Sequence, residues 1–256
     1  MKSSLAAILL GFLAATGATA APAKPTIVLV HGAFADSSSW NGVIEILERD
    51  AFPVVAIANP LRGVASDAQY VADVVKGLDT PVVLVGHSYG GSVISSSQIA
   101  TSKVKALVYV AAFAPEAGET AAGLSGKFPG STLGPALAAP VALSEGGSDL
   151  YIQQARFHDQ FAADVSASAA ALMAAGQRPI TEAALNEPAS EPTWKSVPSW
   201  FIYGDHDKNI PPESIAFMAE RAKARETVVV NGASHVVMVS HPEAVAKMVE
   251  RAAAGR

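Results

Sequence analysis

The chain has 256 residues, half of them hydrophobic and 16% charged, with a formal net charge of -5. This apolar content is enough to bury one substantial core and argues against disorder. The small negative charge does not attract nucleic acid or anionic lipid, so we expect neither as a partner. Because the sequence has no cysteine, disulfides, thiol nucleophiles and zinc–cysteine sites are excluded.

The first twenty residues have the layout of a secretory signal peptide. Lys2 supplies the positive start, residues 5–15 form an apolar run, and small residues end the segment at Ala20. The run is too short to span a bilayer, which needs roughly 20 apolar residues. We therefore predict cleavage after Ala20, export to the periplasm or the medium, and no membrane association afterwards. The alternatives are a membrane anchor and a buried first helix.

Beyond Pro25, short runs rich in β-branched residues alternate with stretches of helical periodicity. This alternation is typical of parallel strands joined by crossover helices, and it predicts an α/β fold with a doubly wound, mostly parallel sheet. The predicted strands lie at residues 26–30, 53–58, 82–85, 104–110, 199–203 and 227–230, and the predicted helices at 39–49, 66–78, 90–100, 212–224 and 242–253.

Residues 113–195 interrupt this alternation. They contain glycine- and proline-rich turns and then alanine-rich helical stretches near 151–161 and 165–175, with no convincing buried strand. Such a segment is too long for a plain loop in a compact domain. We predict a small helical cap over the carboxyl edge of the sheet, inserted into a single domain of residues 21–256. The alternative is a linker followed by an independent helical domain.

Residues 86–90 read Gly-His-Ser-Tyr-Gly, between a predicted strand and a predicted helix. In this context the pattern is typical of a sharp turn that presents a nucleophilic serine, and it makes Ser88 the candidate nucleophile. The backbone N–H of Tyr89 then becomes the first candidate donor to a negatively charged carbonyl oxygen. The alternative is an ordinary glycine turn whose serine caps the helix.

A nucleophilic serine needs a base, and the base needs an acid to orient it. His235 follows the predicted strand that ends at residue 230, at the sheet edge where α/β proteins place their sites. It is the candidate base, and His241 is its rival. Asp207 and Asp205 both follow the strand that ends at residue 203; we favour Asp207 as the acid because Asp205 fits a turn-stabilising role.

The loop after the first strand is expected to supply the second oxyanion donor. Gly32 lets its backbone turn inward, and we choose Ala33 as the donor, with Phe34 as the second choice. We expect no cofactor and no metal, because no glycine-rich phosphate loop or metal-ligand set is present. The candidate substrate-binding residues, all apolar, are Phe34, Trp40, Phe113, Phe157 and Val236.

Four segments carry a family resemblance: residues 31–33 with Trp40, and residues 86–91, 207–211 and 234–240. Together they resemble the α/β-hydrolase superfamily, and within it the plant methylesterase and hydroxynitrile lyase group and its bacterial relatives. The resemblance implies that Asp207 is the acid of the triad and that Ala33 donates to the oxyanion. The lyases of this group carry a lysine at position 236 and a threonine at position 32, whereas Val236 and Gly32 are esterase-like. Tyr89 departs from the leucine of the plant esterases.

The sequence therefore predicts a serine hydrolase that cleaves carboxylic esters with small to medium apolar groups. The expected partner is a small-molecule ester, and no pattern predicts an oligomeric state. The alternatives on the same residues are perhydrolysis, amide hydrolysis, C–C bond hydrolysis and lyase chemistry. A non-catalytic binding protein of the same fold is the alternative from another class.

Overall fold

The computed structural model describes residues 23–99 and 101–256. The predicted signal peptide lies outside the described residues. None of the helices in these two ranges combines the length and the apolar character that crossing a membrane requires.

The strands are β1 (Thr26–Val30), β2 (Val54–Ile57), β3 (Val82–His87), β4 (Val104–Val110), β5 (Val141–Ala142), β6 (Ser148–Leu150), β7 (Ile180–Thr181), β8 (Ser199–Gly204) and β9 (Glu226–Val230). Strands β1 to β4, β8 and β9 form one parallel sheet with the order β2-β1-β3-β4-β8-β9, which confirms the predicted doubly wound architecture. The apolar side chains of β1 and β3 are almost completely buried, as expected for strands covered on both faces.

The helices are α1 (Asn41–Arg49), α2 (Val64–Lys76), α3 (Tyr89–Ser95), α4 (Ala121–Ser125), α5 (Leu133–Ala136), α6 (Gln154–Phe161), α7 (Ala167–Gly176), α8 (Glu182–Asn186), α9 (Pro212–Arg221), α10 (Val237–Ser240) and α11 (Pro242–Ala253). The predicted helices are present; α11 has its predicted bounds, and the others have shifted ends. Near the sheet, α1 packs against α11 and α2 against α3. Short 3₁₀ turns lie at Ser37–Trp40, Ser97–Ile99 and Thr193–Lys195.

Helix α3 ends five residues before its predicted end. Ser95 Oγ donates to the carbonyl of Gly91, and Ser96 is extended and pairs with Pro192. Serine side chains compete for backbone hydrogen bonds in this way, which weakens a helix that the apolar spacing alone would extend.

The segment between β4 and β8 contains helices α4 to α8, of which α6 and α7 lie where the sequence predicts helical stretches. It also contains a small antiparallel sheet in the order β5-β6-β7. The expectation that this segment holds no buried strand was wrong, because Asp149, Leu150 and Ile180 are buried in it. Each strand has only two or three residues. Strands this short show no alternation that a sequence pattern can reveal.

Candidate active site

Ser88 occupies a strained turn between β3 and α3. Its φ of 53° and ψ of -122° lie where residues other than glycine are rarely found. The carbonyl of Ser88 stabilises the turn, because it accepts hydrogen bonds from the N–H groups of Gly91 at 2.9 Å and Phe113 at 3.1 Å. The Ser88 side chain is thereby placed at the carboxyl edge of the sheet, where it lines a cavity.

The loop after β1 lies directly against this turn, and only glycine fits there. A β carbon on Gly32 would lie 2.6 Å from Ser88 Cβ and 2.7 Å from the carbonyl oxygen of His87. Both distances are far below van der Waals contact, so any other residue would push the loop away. Gly32 therefore permits the close approach of the two backbones.

His235 and Asp207 form a buried pair. His235 Nδ1 donates to Asp207 Oδ2 at 2.7 Å, and both side chains are nearly inaccessible to solvent. Asp207 Oδ1 accepts from the N–H groups of Asn209 at 2.8 Å and Ile210 at 3.0 Å, which fixes the carboxylate. With Nδ1 occupied as a donor, neutral His235 carries its lone pair on Nε2, the state that a general base needs.

The two rival residues have other contacts. Asp205 is exposed, and its Oδ1 accepts from the N–H of Gly232, which fastens the loop after β9 to the loop after β8. His241 Nδ1 bonds to the hydroxyl of Ser240 at 2.9 Å, and 39% of its side chain is exposed. The geometry therefore favours Asp207 and His235, as the sequence predicts.

Two backbone N–H groups beside Ser88 have no acceptor within the described residues. They belong to Ala33 and Tyr89, both of which line the same cavity as Ser88. The N–H of Phe34, the second choice from the sequence, is instead bonded to the carbonyl of Arg178 at 2.9 Å. A pair of unoccupied N–H groups at a cavity wall can stabilise a negatively charged oxygen.

The cavity has a volume of about 440 Å³ and a mainly apolar wall. Ser88 and His235 both line it, although in the described part of the chain their side chains form no hydrogen bond with each other. Such a bond is often long before substrate binds. Among the lining residues there is no Asp, Glu, Lys or Arg; they are Ala33, Phe34, Ser88, Tyr89, Phe113, Ala121, Ala122, Ser125, Gly126, Ser131, Leu133, Gly134, Pro135, Leu137, Phe161, Leu185, Asn209, Ile210 and His235.

The predicted substrate-binding residues divide into two groups. Phe34 and Phe113 line the cavity. Trp40, Phe157 and Val236 do not; they are completely buried in the hydrophobic core. For these three the expectation of substrate contact is corrected: their apolar character reflects core packing, which sequence spacing does not distinguish from ligand binding.

The corrected aromatic residues support residues of the site. The Trp40 ring meets the ring of His87 edge-on with centroids 6.4 Å apart, and Phe157 packs on Phe161 at 4.9 Å. Phe161 in turn lies 5.1 Å from the ring of His235. Phe157 therefore supports Phe161 of the cavity wall, and Trp40 packs on His87, whose ring lies 4.7 Å from that of His235.

The remaining buried histidines near the site are structural. His31 Nδ1 donates to the carbonyl of Gly32 at 2.9 Å and its Nε2 accepts from the N–H of Asn59 at 3.0 Å, while burial lowers its pKa to about 4. His87 Nε2 donates to the carbonyl of His235 at 3.2 Å. Burial, and then the neighbouring His235 ring, hold the pKa of His87 well below its ordinary range. Both histidines are therefore neutral at neutral pH.

The cap is bonded to both loops that carry the histidine–aspartate pair. Gln160 Nε2 donates to Asn209 Oδ1 at 3.1 Å, and Asn209 Nδ2 donates to the carbonyl of Gln160 at 3.2 Å. On the other loop, the hydroxyl of Ser234 donates to the carboxylate of Asp164. These contacts join residues far apart in sequence, so sequence reasoning missed Gln160 and Asp164.

Sequence reasoning also missed most of the cavity wall. Asn209 and Ile210 lie within the motif of residues 207–211 that carries Asp207, and this proximity was the available signal. The alanines, glycines and serines between residues 121 and 134 line the cavity because they are small, and small residues carry no pattern that indicates a binding wall.

Comparisons with known proteins agree with this fold. Residues 27–248 match the model of the alpha/beta hydrolase family. The chain is 26% identical over 254 residues to the alpha/beta hydrolase nvfD of Aspergillus novofumigatus, covering 90% of this chain and 97% of that protein. It is 24% identical over 242 residues to the alpha-hydroxynitrile lyase of Arabidopsis thaliana, covering 86% and 93% respectively.

Among solved structures, polyneuridine aldehyde esterase superimposes with a TM-score of 0.75 at 20% identity, covering 89% of this chain and 98% of that one. This likeness concerns the fold alone, whereas the family model spans most of the chain. The resemblance and the fold that the sequence predicts are both confirmed. The chain belongs to the alpha/beta hydrolase family.

Proposed function

We propose that the protein hydrolyses neutral carboxylic esters with small to medium apolar groups through an acyl-enzyme on Ser88. The observation that carries the proposal is a convergence on one cavity. Ser88 in its strained turn, His235 paired with Asp207, and the unoccupied N–H groups of Ala33 and Tyr89 all meet there. A general binding site has no need of this combination, whereas acyl transfer needs each part.

In the proposed reaction, Ser88 Oγ attacks the ester carbonyl and passes its proton to His235 Nε2. The negative charge on the former carbonyl oxygen is stabilised by the amides of Ala33 and Tyr89. Asp207 stabilises the imidazolium of His235 without taking its proton. The intermediate then collapses, and the alcohol leaves with the proton from Nε2, so that an acyl-enzyme remains. Water next attacks the acyl carbonyl and gives its proton to His235 Nε2, and the acid is released when Ser88 Oγ takes that proton back.

The cavity wall supports a neutral, apolar substrate. Its lining residues include no carboxylate, ammonium or guanidinium group, so an ionic substituent would lose its water without gaining a partner. A volume of about 440 Å³ falls within the range of ordinary small-molecule sites. We therefore place small to medium apolar acyl and alcohol groups there.

Lyase chemistry, the activity named for the Arabidopsis relative, is less well supported. A threonine at position 32 would bring its β carbon 2.6 Å from Ser88 Cβ, so the loop of this chain is built for glycine. The lyases of the group that this sequence resembles have a lysine at position 236, whereas Val236 is apolar and completely buried. Among the described residues that line the cavity there is no lysine or arginine to stabilise a departing cyanide.

A substrate panel on the purified protein tests the proposal. It contains para-nitrophenyl acetate, butyrate and octanoate, the monosuccinate ester as the charged match of the butyrate, and a lactone, an amide and a cyanohydrin. We expect hydrolysis of the neutral esters, with kcat/KM for the monosuccinate lower by about 30-fold because its carboxylate is desolvated without a partner. No ester turnover, or faster cleavage of the cyanohydrin than of any ester, would refute the proposal.

Export is a further part of the proposal. The pattern of residues 1–20 supports a mature protein in the periplasm or the medium.

A further inference from the structure

Tyr89, whose N–H is one of the two proposed oxyanion donors, is also held by its side chain. Its hydroxyl donates to Asp67 Oδ2 at 3.0 Å, and both residues are completely buried. Asp67 lies in the first turn of α2, which packs against α3. The residue that follows Ser88 is therefore fastened at two points, by the strained backbone and by a buried carboxylate.

The same carboxylate holds the loop on which the cap rests. Both Asp67 oxygens lie 3.2 Å from the N–H of Arg62. The Arg62 guanidinium donates to Asp149 of β6 at 2.7 Å and to the carbonyl of Pro179 at 3.0 Å. Thr181 of β7 donates to the carbonyl of Arg62 at 3.0 Å. Asp67 thus connects the turn at Ser88 with the loop between β2 and α2, in which Arg62 bonds to the cap.

A buried carboxylate is costly unless hydrogen bonds compensate for its lost hydration. Burial raises the pKa of Asp67, and burial followed by the nearby Asp67 charge raises that of the Tyr89 hydroxyl, so Tyr89 remains a donor at neutral pH. The proposed reaction uses neither side chain directly. We therefore infer that the buried Asp67–Tyr89 pair beside the nucleophile has a role other than proton transfer or substrate contact.

We propose that Asp67 is a positioning residue that fixes the direction of the Tyr89 N–H through the Tyr89 side chain. This inference rests on the proposed function, in which that N–H stabilises the oxyanion. Oxyanion donors work because they are already oriented before charge develops, so a small rotation of the peptide reduces their effect on the transition state. When the bond between Asp67 and Tyr89 is lost, substrate binding is expected to change little, because it depends on the apolar contacts of the cavity wall.

The experiment measures kcat and KM for para-nitrophenyl butyrate in the wild type, Tyr89→Phe, Asp67→Ala, Asp67→Asn and the double variant Tyr89→Phe/Asp67→Ala. We expect about tenfold lower kcat in Tyr89→Phe and in Asp67→Ala, with KM within about twofold of wild type, because a displaced donor costs part of the 10²- to 10³-fold effect of a lost one. Asp67→Asn keeps an acceptor for Tyr89 and is expected to recover most of kcat. The double variant is expected to match the single ones, since both break one interaction.

Tyr109→Phe is the matched control. Tyr109 is also completely buried, and its hydroxyl bonds to Ser95 at 2.8 Å rather than to the turn. The Tyr109→Phe variant is expected to have a lower free energy of unfolding, as Tyr89→Phe does, but an unchanged kcat.

A Tyr89→Phe variant with wild-type kcat, or one that loses no more kcat than Tyr109→Phe, overturns the inference, and it does so even if Asp67→Ala fails to fold. Additive losses in the double variant also overturn it. In both cases an active wild type leaves the proposed function intact. A wild type that is inert toward every ester overturns the proposed function and this inference with it.

Discussion

Asp207 and His235 come from loops after different strands, β8 and β9, yet Asp207 Oδ2 lies 2.7 Å from His235 Nδ1. The two strands are neighbours in the sheet, so their carboxyl ends lie side by side. Burial of both side chains strengthens the interaction by excluding water. The sheet topology therefore brings the proposed base and acid together at the edge where Ser88 lines the cavity.

The choice between the two aspartates gives a direct prediction. Asp207→Asn is expected to lower kcat on an aryl ester by about 10⁴-fold, because the amide no longer holds His235 in the tautomer with a free Nε2. Asp205→Asn is expected to change kcat little, since the exposed Asp205 side chain accepts from the N–H of Gly232 and does not contact His235 in the described part of the chain. Steady-state kinetics on both variants decide between them, and a larger loss at Asp205 would reverse the assignment.

Gly32→Ala is expected to impair both catalysis and folding. Its new β carbon would lie 2.6 Å from Ser88 Cβ, so the loop that carries the Ala33 amide must move away. We expect kcat/KM to fall about 100-fold, as displacement of an oxyanion donor does, and the free energy of unfolding to fall by about 1–3 kcal/mol, as overpacking does.

The control for this variant is Gly77→Ala. Its β carbon would meet no atom closer than 3.5 Å, an ordinary contact, and its φ of -74° suits alanine. It tests whether any glycine replacement near the sheet is harmful. Equal behaviour of the two variants in urea unfolding and in kinetics would refute the steric explanation.

The buried histidines make stability depend on pH. Because burial lowers the pKa of folded His31 to about 4, the unfolded chain takes up a proton at a higher pH than the folded chain does. The stability that neutral His31 contributes to the folded state is therefore fully present above the unfolded pKa of about 6.5. It is lost as the pH falls from there toward about 4. Between about pH 7 and about pH 5 we expect a loss of about 2 kcal/mol from this residue.

Urea unfolding of the wild type and of His31→Gln at both pH values checks this. Glutamine can donate to Gly32 and accept from Asn59 as His31 does, but it does not titrate. The variant is expected to show a shallower dependence of unfolding free energy on pH. An equal slope in the two proteins would show that His31 does not cause the acid sensitivity.

The predicted export has its own measurement. When the full chain is expressed in a bacterial host with an outer membrane, we expect the mature protein outside the cytoplasm to begin at Ala21, because small residues precede the predicted cleavage point. Intact-mass spectrometry of the fractionated protein identifies its first residue. Recovery of the uncleaved chain in the cytoplasm alone would contradict the prediction.

The parts of the site that sequence predicts well depend on local patterns. The turn at Ser88 needs a strand, small neighbours and a helix within a dozen residues, and all three are visible along the chain. Asp207 and His235 follow recognisable strands, so their meeting at one sheet edge follows from topology. The helical spacing of α11 likewise predicts its bounds correctly.

The parts that sequence misses depend on contacts between distant segments. The reciprocal bonds of Gln160 with Asn209, and the bond of Tyr89 with Asp67, join residues 49 and 22 positions apart. No periodic pattern marks such pairs. Phe157 and Phe161 illustrate the same limit, because both are buried aromatic residues of α6 and only Phe161 faces the cavity.

The most direct measurement of the central claim, that Ser88 is the nucleophile, compares the wild type with Ser88→Ala on para-nitrophenyl butyrate. The variant removes one hydroxyl from the cavity wall and leaves the His235–Asp207 pair in place. We predict a fall in kcat/KM of about 10⁴-fold or more. A Ser88→Ala variant that keeps the activity of the wild type would contradict the claim.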